Sequence, residues 1–329
     1  MNRCARFAVW CGVLAAGLAA GPVNAQNYPA KPVRVIVPHP AGTVVDTVSR
    51  GITQALSQAL GQPFVIDNRG GADGIIGAEV CSKAAPDGYT LCSTSSLVIT
   101  VNPVIRSKLT YDPPRELTPV VQYGVLSSAV VVQPSLPVST MVELINLAKS
   151  KPGSIAWGSW GLSSLSHIYI EWLKNARGVA FYNVPYKSAA QAVQANLAGE
   201  IQVSVLAAGP AVSQEKAGKL KILATNGETR SSWAPNVPSF KEAGIDVFIQ
   251  TWFGMLAPAG TASEIVQRVN GVVSKSLSDS RFRDKFITAQ GLEVVAPVSG
   301  GSPGQFAAFL KAEREMYEKV VRLAGIRRD

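Results

Sequence analysis

The chain has 329 residues, of which 47% are hydrophobic. This length exceeds what one hydrophobic core usually serves, so we expect two lobes. The formal net charge is +9, but the basic residues are scattered and form no run with interleaved aromatic residues, which argues against a nucleic-acid-binding protein.

The first 25 residues have the pattern of a secretory signal peptide. Arg3 and Arg6 form a basic start, residues 7–20 are mostly apolar but too short to span a bilayer, and residues 23–25 form a small-residue cleavage site. We therefore predict cleavage after Ala25 and a periplasmic mature protein. Without the two arginines, 29 basic residues face 22 acidic ones, a net charge of about +7 (29 − 22).

Short apolar runs then alternate with helical patterns, which is typical of an α/β fold with helices covering parallel sheets. The predicted strands are residues 33–37, 63–67, 89–94, 128–133, 154–158, 180–184, 201–206 and 220–224. The predicted helices are residues 44–60, 74–85, 139–150, 164–176, 188–198, 262–278 and 303–323. Gly61 is expected to end the first helix.

Two extended stretches are predicted to connect the lobes. Residues 117–132 have the pattern of two strands interrupted at Gly124, and residues 250–258 form a second apolar stretch. The first lobe would then comprise residues 26–125 and 251–329, and the second lobe residues 126–250. Two such crossings define a hinge with a cleft beside it.

Four turns lead from a predicted strand into a predicted helix. They are residues 40–46, 68–74, 157–164 and 184–188, two from each lobe. Helix N-termini carry unpaired backbone N–H groups, and the carboxyl ends of parallel strands meet at one edge, so these turns can bind one carboxylate. Each turn alone is also explained as an ordinary capped helix start, with Thr43–Asp46 and Ser188–Gln191 as predicted capping boxes.

The ordered set of these motifs resembles the Bug family, the extracytoplasmic solute-binding receptors of tripartite tricarboxylate transporters. The resemblance covers essentially the whole mature chain and rests on PVRVIVPHPAGTVVDTVSR, PFVIDNRGGADGIIGAE, APDGYTL, GSWGLSSLSH, VPYKSAAQAV, AGKLKILA and FGMLAPAGT. It implies a two-lobed periplasmic binding protein fold of the Venus-flytrap kind, similar to type II, that closes on a small carboxylate.

The resemblance also implies a set of ligand-binding residues. Those that match the family's motifs are Ala41, Gly42, Asp46, Ala72, Asp73, Gly74, Ile75, Gly158, Ser159, Ser164, His167, Tyr186 and Lys187. Other positions depart from the family's pattern. His39 replaces a usual Phe, Thr43 replaces a Gly, Trp160 and Leu162 replace smaller or polar residues, and Leu206 lies where an Asp is common.

Leu206 is the most informative of these departures. Without a carboxylate at this position, a buried ligand ammonium group would lack its partner, so amino acids are disfavoured as ligands. Trp160 and Leu162 add apolar area, which favours an apolar or aromatic carboxylate. The alternative for Trp160 is a lid over the core of its own lobe. For His167 we favour a structural role over a direct ligand contact.

Cys81 and Cys92 remain after removal of the signal peptide, and both a disulfide and a pair of buried thiols fit their spacing. His39 and His167 show no metal-ligand spacing with either cysteine, and we expect no metal and no cofactor.

Two enzyme motifs occur in the chain, and both are disfavoured. Residues 300–304 match G-x-S-x-G, which would make the chain an exported serine hydrolase, but no His follows Ser302, and Ser302 with Gln305 fits a capping box. Residues 71–77 fail the dinucleotide-loop spacing.

The sequence therefore predicts a monomeric receptor without catalytic activity. Its predicted partners are a small organic carboxylate and the integral membrane subunits of a tripartite tricarboxylate transporter, or alternatively a membrane sensor.

Overall fold

The structure is a computed structural model that describes residues 28–161 and 164–326. The predicted signal peptide with its cleavage site and the departure at Leu162 lie outside the described residues.

Eleven strands follow one another in the described part of the chain. They are β1 Val33–Val37, β2 Phe64–Asn68, β3 Thr90–Ser95, β4 Leu117–Leu126, β5 Ser128–Val132, β6 Ala156–Ser159, β7 Tyr182–Pro185, β8 Val203–Ala207, β9 Lys221–Thr225, β10 Thr251–Pro258 and β11 Leu292–Glu293.

Within the same described residues, eleven α-helices lie between and after these strands. They are α1 Val44–Leu60, α2 Ile75–Ser82, α3 Asn102–Ile105, α4 Pro113–Glu116, α5 Met141–Ser150, α6 Leu165–Arg177, α7 Ala189–Ala198, α8 Ala208–Lys216, α9 Ser263–Ser278, α10 Ser280–Phe286 and α11 Pro303–Leu323. A π-helix, Leu97–Val101, precedes α3. Helix α1 has the predicted bounds and ends at Gly61, whose φ of 72° places it in the left-handed region.

The strands form two separate sheets, which define the first and second lobes. The first sheet has the order β11-β4-β10-β3-β1-β2, and the second has the order β7-β6-β8-β5-β9. Strands β1, β2 and β3 are parallel, as are β6, β7 and β8, whereas β4, β5 and β10 pair antiparallel with their neighbours. The prediction of parallel sheets is thus correct only for the strands joined by helical crossovers. Antiparallel neighbours need no such crossover.

Each sheet is covered by apolar side chains on both faces. In β1, Val35 packs in one core cluster and Ile36 in another, and in β5, Val130 and Val131 divide in the same way. Successive side chains of a strand point to opposite faces, so continuous apolar runs such as VRVIV fit strands that helices cover on both sides.

The first connection between the lobes is the single residue Ser127, between β4 and β5. The predicted interruption at Gly124 is wrong, because Gly124 lies inside β4. A Cβ added at Gly124 would lie 2.7 Å from the carbonyl oxygen of Glu293, so the glycine permits β11 to approach rather than breaking the strand.

The second connection is the segment between β9 and β10, and helix α11 is a third one that was not predicted from the sequence. Phe306 near its start packs with the first lobe, whereas Tyr317 and Val320 pack in the core of the second lobe. The Asn175 side chain on α6 also donates to the carbonyl oxygen of Ala324 at 2.7 Å. The prediction that residues 251–329 belong to the first lobe therefore omits the packing of the end of α11 against the second lobe.

Candidate functional site

A cavity of about 710 Å³ lies between the two lobes. The first lobe contributes lining residues from the ends of β1, β3 and β4, from the π-helix and from the start of β10. The second lobe contributes residues from β8 and from three helix starts. Most of the lining side chains are apolar, and this is the character of a small-molecule site in which a few polar groups fix orientation.

Three helices of the second lobe begin at this cavity. Ser164 and Leu165 at the start of α6, Ala189 at the start of α7, and Ala207 before α8 all line it. Each helix start places backbone N–H groups and the positive end of the helix dipole at the wall, which favours a bound anion.

Four of the predicted ligand-binding residues line the cavity, namely Asp73, Trp160, Ser164 and Leu206. Trp160 both lines the cavity and packs against the core of its own lobe. The Ser164 hydroxyl donates to the carbonyl oxygen of Gly161 at 2.7 Å and accepts from the His167 backbone N–H at 3.2 Å, so it caps α6.

The predicted turn of Ala41, Gly42, Thr43 and Asp46 does not contribute to the cavity lining. The Gly42 N–H donates to Asp46 at 2.9 Å, and Asp46 also accepts from Arg50 and from the Asn68 side chain. The predicted capping box is wrong, because the Thr43 hydroxyl donates to Pro40 instead of accepting from the helix. The Gly42 N–H is thus satisfied within the turn itself.

The second glycine-rich turn packs against the first one. Ala72 and Gly74 are absent from the described lining, and Gly74 approaches the carbonyl oxygen of Pro38 so closely that a Cβ would lie 2.9 Å from it. Asp73 has a positive φ of 54°, points its carboxylate to Arg106 at 2.6 Å and reaches the cavity. The glycines therefore serve loop packing, and Asp73 is the residue of this turn that lines the site.

The remaining predicted residues of the second lobe make contacts within that lobe. Ser159 is buried, and its carbonyl oxygen accepts from the Tyr186 N–H at 2.7 Å. The Ser188 hydroxyl accepts from the Gln191 N–H, which is one half of the predicted capping box. The Gln191 side chain accepts from the Lys187 N–H instead of the Ser188 N–H, so the other half does not form. His167 is half-buried beside Asn183. Burial lowers the pKa of His167. None of Ser159, His167, Tyr186 and Lys187 appears among the described lining residues.

Several lining residues were missed from the sequence. Ser95 ends β3 and Ser96 follows it, and the carboxyl end of β3 lies at the same sheet edge as those of β1 and β2, so the strand-end rule could have found both residues. Phe253 on β10 and Tyr317 on α11 also line the cavity. They carry no local signal, because each lies inside a regular element.

The features considered for redox, metal and hydrolase chemistry have structural explanations. Cys81 of α2 and Cys92 of β3 form a disulfide with their Cα atoms 6.1 Å apart. The Ser302 hydroxyl accepts from the Gln305 N–H at 3.2 Å, and the Gln305 side chain accepts from the Ser302 N–H at 2.8 Å, which completes the capping box. Within residues 28–161 and 164–326, no three His, Cys, Asp or Glu side chains cluster to hold a metal ion.

Two sheet-and-helix lobes around a cleft define the class of periplasmic binding proteins. The family described as the tripartite tricarboxylate transporter family receptor matches residues 48–324, and the chain belongs to this family of solute-binding receptors. It is 32% identical to Protein BugT of Bordetella pertussis over 315 residues, 95% of each chain.

Two solved structures of the same kind carry small carboxylates. An R. palustris protein solved with adipate is 31% identical, has a TM-score of 0.74, and is matched over 91% of this chain and 98% of its own. MatC from Rhodopseudomonas palustris with bound malate is 29% identical, has a TM-score of 0.71, and is matched over 89% of this chain and 100% of its own.

No helix in the described part of the chain combines the length and the apolar character that a membrane crossing needs.

Proposed function

We propose that this protein captures a small organic carboxylate with an apolar or aromatic body in the cavity between its lobes. It then closes around the ligand as a monomer and delivers it to the integral membrane subunits of a tripartite tricarboxylate-type transporter. Its site of action is the periplasm, after cleavage behind Ala25. The hinge consists of Ser127, the segment between β9 and β10, and α11.

The composition of the cavity wall supports this ligand class. The described lining contains no Lys or Arg, and its one carboxylate, Asp73, already faces Arg106. A ligand ammonium group would therefore lack a free partner beside Leu206, whereas a carboxylate is favoured by the starts of α6, α7 and α8 at about 0.3 to 1 kcal/mol each. Trp160, Phe253 and Leu206 leave room for an apolar body.

The proposal is tested by measuring ligand binding to the mature protein with thermal shift and calorimetry. At equal concentrations, benzoate should stabilise the protein more than malate or glutamate does. At 100 times its dissociation constant, benzoate should raise the free energy of unfolding by about 2.7 kcal/mol relative to the protein without ligand. Stabilisation by amino acids alone would contradict the proposal.

A tryptophan pair supplies a matched control for the binding site. Trp160→Ala should weaken benzoate binding roughly 3- to 10-fold, since an aromatic pair contributes about 0.5 to 1.5 kcal/mol. Trp233 is also partly buried but packs against Gly209 away from the described lining, so Trp233→Ala should leave the dissociation constant unchanged. Equal effects of the two substitutions would place the ligand elsewhere.

A further inference from the structure

His39 lies at the first-lobe wall of the cavity, just after β1. Its Nε2 atom is 3.1 Å from the Ser95 hydroxyl oxygen. Its carbonyl oxygen accepts from the Asn68 side chain at 3.2 Å, and Asn68 also donates to Asp46 at 2.9 Å. The imidazole is therefore held at the wall by its backbone, with one ring nitrogen beside a hydroxyl that also lines the cavity.

The charge distribution around the cavity makes His39 distinctive. Within the described lining, which has no Lys or Arg, His39 is the one side chain that can become positively charged. The starts of α6, α7 and α8, which favour an anion, belong to the second lobe, and the first lobe contributes the start of the π-helix at Ser96 and Leu97. On the first-lobe side, a closing carboxylate would therefore meet the imidazole and the hydroxyls of Ser95 and Ser96.

The other charged and titratable groups near His39 are already engaged. Asp46 on α1 is paired with Arg50, and Asp73 in the turn before α2 is paired with Arg106. Tyr317 of α11, across the cavity, is uncharged because burial raises its pKa far above 10. A bound anion therefore changes the electrostatic environment of His39 more than that of any other group in the described lining.

We propose that His39, supported by Ser95, is a ligand-binding residue that contacts the carboxylate and gains a proton when the ligand binds. This assignment rests on the proposed function. The proton comes from solvent and is carried by the imidazole, which then donates a charge-assisted hydrogen bond to the carboxylate.

The sign of the resulting pH dependence follows from the lowered pKa of His39 in the protein without ligand. Burial lowers the pKa of His39 to about 4, so the imidazole is neutral at neutral pH without ligand. A carboxylate nearby favours the protonated form and raises this pKa in the complex. Between the two pKa values, binding takes up a proton, so affinity increases as the pH falls.

The experiment measures benzoate binding by calorimetry from about pH 8 to about pH 5.5, where benzoate stays ionised. The dissociation constant should fall by up to about tenfold per pH unit once the pH is below the pKa of His39 in the complex. Buffers with different ionisation enthalpies should report uptake of a proton on binding.

The two histidines of the chain supply a matched pair of variants. His39→Gln keeps hydrogen-bonding capacity but cannot titrate, so its dissociation constant should be independent of pH in this range. His167→Gln removes the histidine outside the described lining and should keep the wild-type profile. The same slope in His39→Gln as in the wild type would overturn the assignment.

A measurement on His167→Gln keeps the test independent of whether His39→Gln folds. This variant retains His39 as its sole histidine, so one imidazole signal in the NMR spectrum reports it. Benzoate should move the midpoint of this titration upward, and an unmoved midpoint would overturn the assignment.

Binding by the wild type without any pH dependence would overturn the assignment of His39 but leave the proposed function intact. Failure to bind benzoate, adipate or malate at any pH would overturn the proposed function, and the assignment with it.

Discussion

Two buried carboxylates of the first lobe are stabilised in opposite protonation states. Burial raises the pKa of Asp46, but hydrogen bonds from Arg50, Gly42 and Asn68 outweigh it, so the pKa is lowered and the group is charged. Burial raises the pKa of Glu313 on α11 to about 8, and its donors Trp252 and Thr100 offset this only partly. The number of donors, and whether one of them is a cation, decides between the two outcomes.

Because of Glu313, we expect the free energy of unfolding to decrease as the pH rises. The carboxyl of the unfolded chain loses its proton near the ordinary glutamate pKa of 4.5, whereas the folded one keeps it up to about pH 8. The folded state therefore binds more protons between these values, and its stability should fall by at most roughly 1.4 kcal/mol per pH unit as the pH rises. Urea unfolding at several pH values measures this slope.

Glu313→Gln should remove most of that slope, because glutamine resembles the protonated carboxyl and keeps an acceptor for the Trp252 indole N–H. Glu315→Gln on the same helix is the matched control, since Glu315 is exposed and should leave the slope unchanged. A wild-type slope in Glu313→Gln would contradict the prediction.

At the scale of elements, the turn before α2 and the turn after β1 depend on close backbone contact. A Cβ added at Gly77 of α2 would lie 2.5 Å from the carbonyl oxygen of Arg69 and 2.7 Å from the Cα of Pro38. No real Cβ is found so near backbone atoms, so α2 would have to move. Asp73, which lines the cavity, lies on the same turn.

Gly77→Ala should therefore destabilise the protein by about 1 to 3 kcal/mol, the usual cost of overpacking. It should also weaken benzoate binding, because the turn of Asp73 would shift. Gly271 lies inside α9 with nothing within 4 Å of its added Cβ, so Gly271→Ala is the matched control and should stabilise by about 0.5 to 1 kcal/mol. Denaturant midpoints of both variants measure these effects, and a neutral Gly77→Ala would show that the turns can separate without cost.

At the scale of the whole molecule, α11 links both lobes. Its Phe306 is fully buried in the first lobe, and its Val320 is fully buried in the second. Tyr317 of the same helix lines the ligand cavity. The proposed closure would therefore have to bend α11 or slide one lobe along it, because the helix packs in both cores.

Val320→Ala should destabilise the protein by about 1 to 3 kcal/mol through the cavity it leaves, and should speed hydrogen exchange in the last turns of α11. Leu323→Ala is the control from the same helix end, because Leu323 is 39% exposed and should have little effect. Equal exchange rates in the two variants would mean that the end of α11 is not held by the second lobe.

Much of the fold could be predicted from local sequence patterns. The apolar periodicity of α1, the serine cap of α11 and the apolar run of β1 each depend on residues a few positions apart, so the sequence alone places them. The break between β4 and β5 could not be predicted, because Gly124 has the same local signature whether it ends a strand or admits β11.

The candidate site was predictable in part, for the same physical reason. Ser164 and Trp160 lie in a strand-to-helix turn, where ligands bind in α/β sheets, and Leu206 was recognised as a departure from the family's pattern. The turn at Gly42 had the same signature, yet the Gly42 N–H donates to Asp46, and this contact depends on the direction in which one buried carboxylate points.

The sequence by itself determined elements such as β1, α1 and α11 and which strand ends are polar, because these depend on neighbours along the chain, whereas α3, α4, α8 and α10 were not predicted from it. Only the tertiary structure decided that Ser95, Phe253, Tyr317 and His39 share one cavity. Their proximity depends on the insertion of β10 between β3 and β4 and on the packing of α11 across both lobes. An apolar strand or helix face fits several neighbours equally well, so local pattern cannot choose among them.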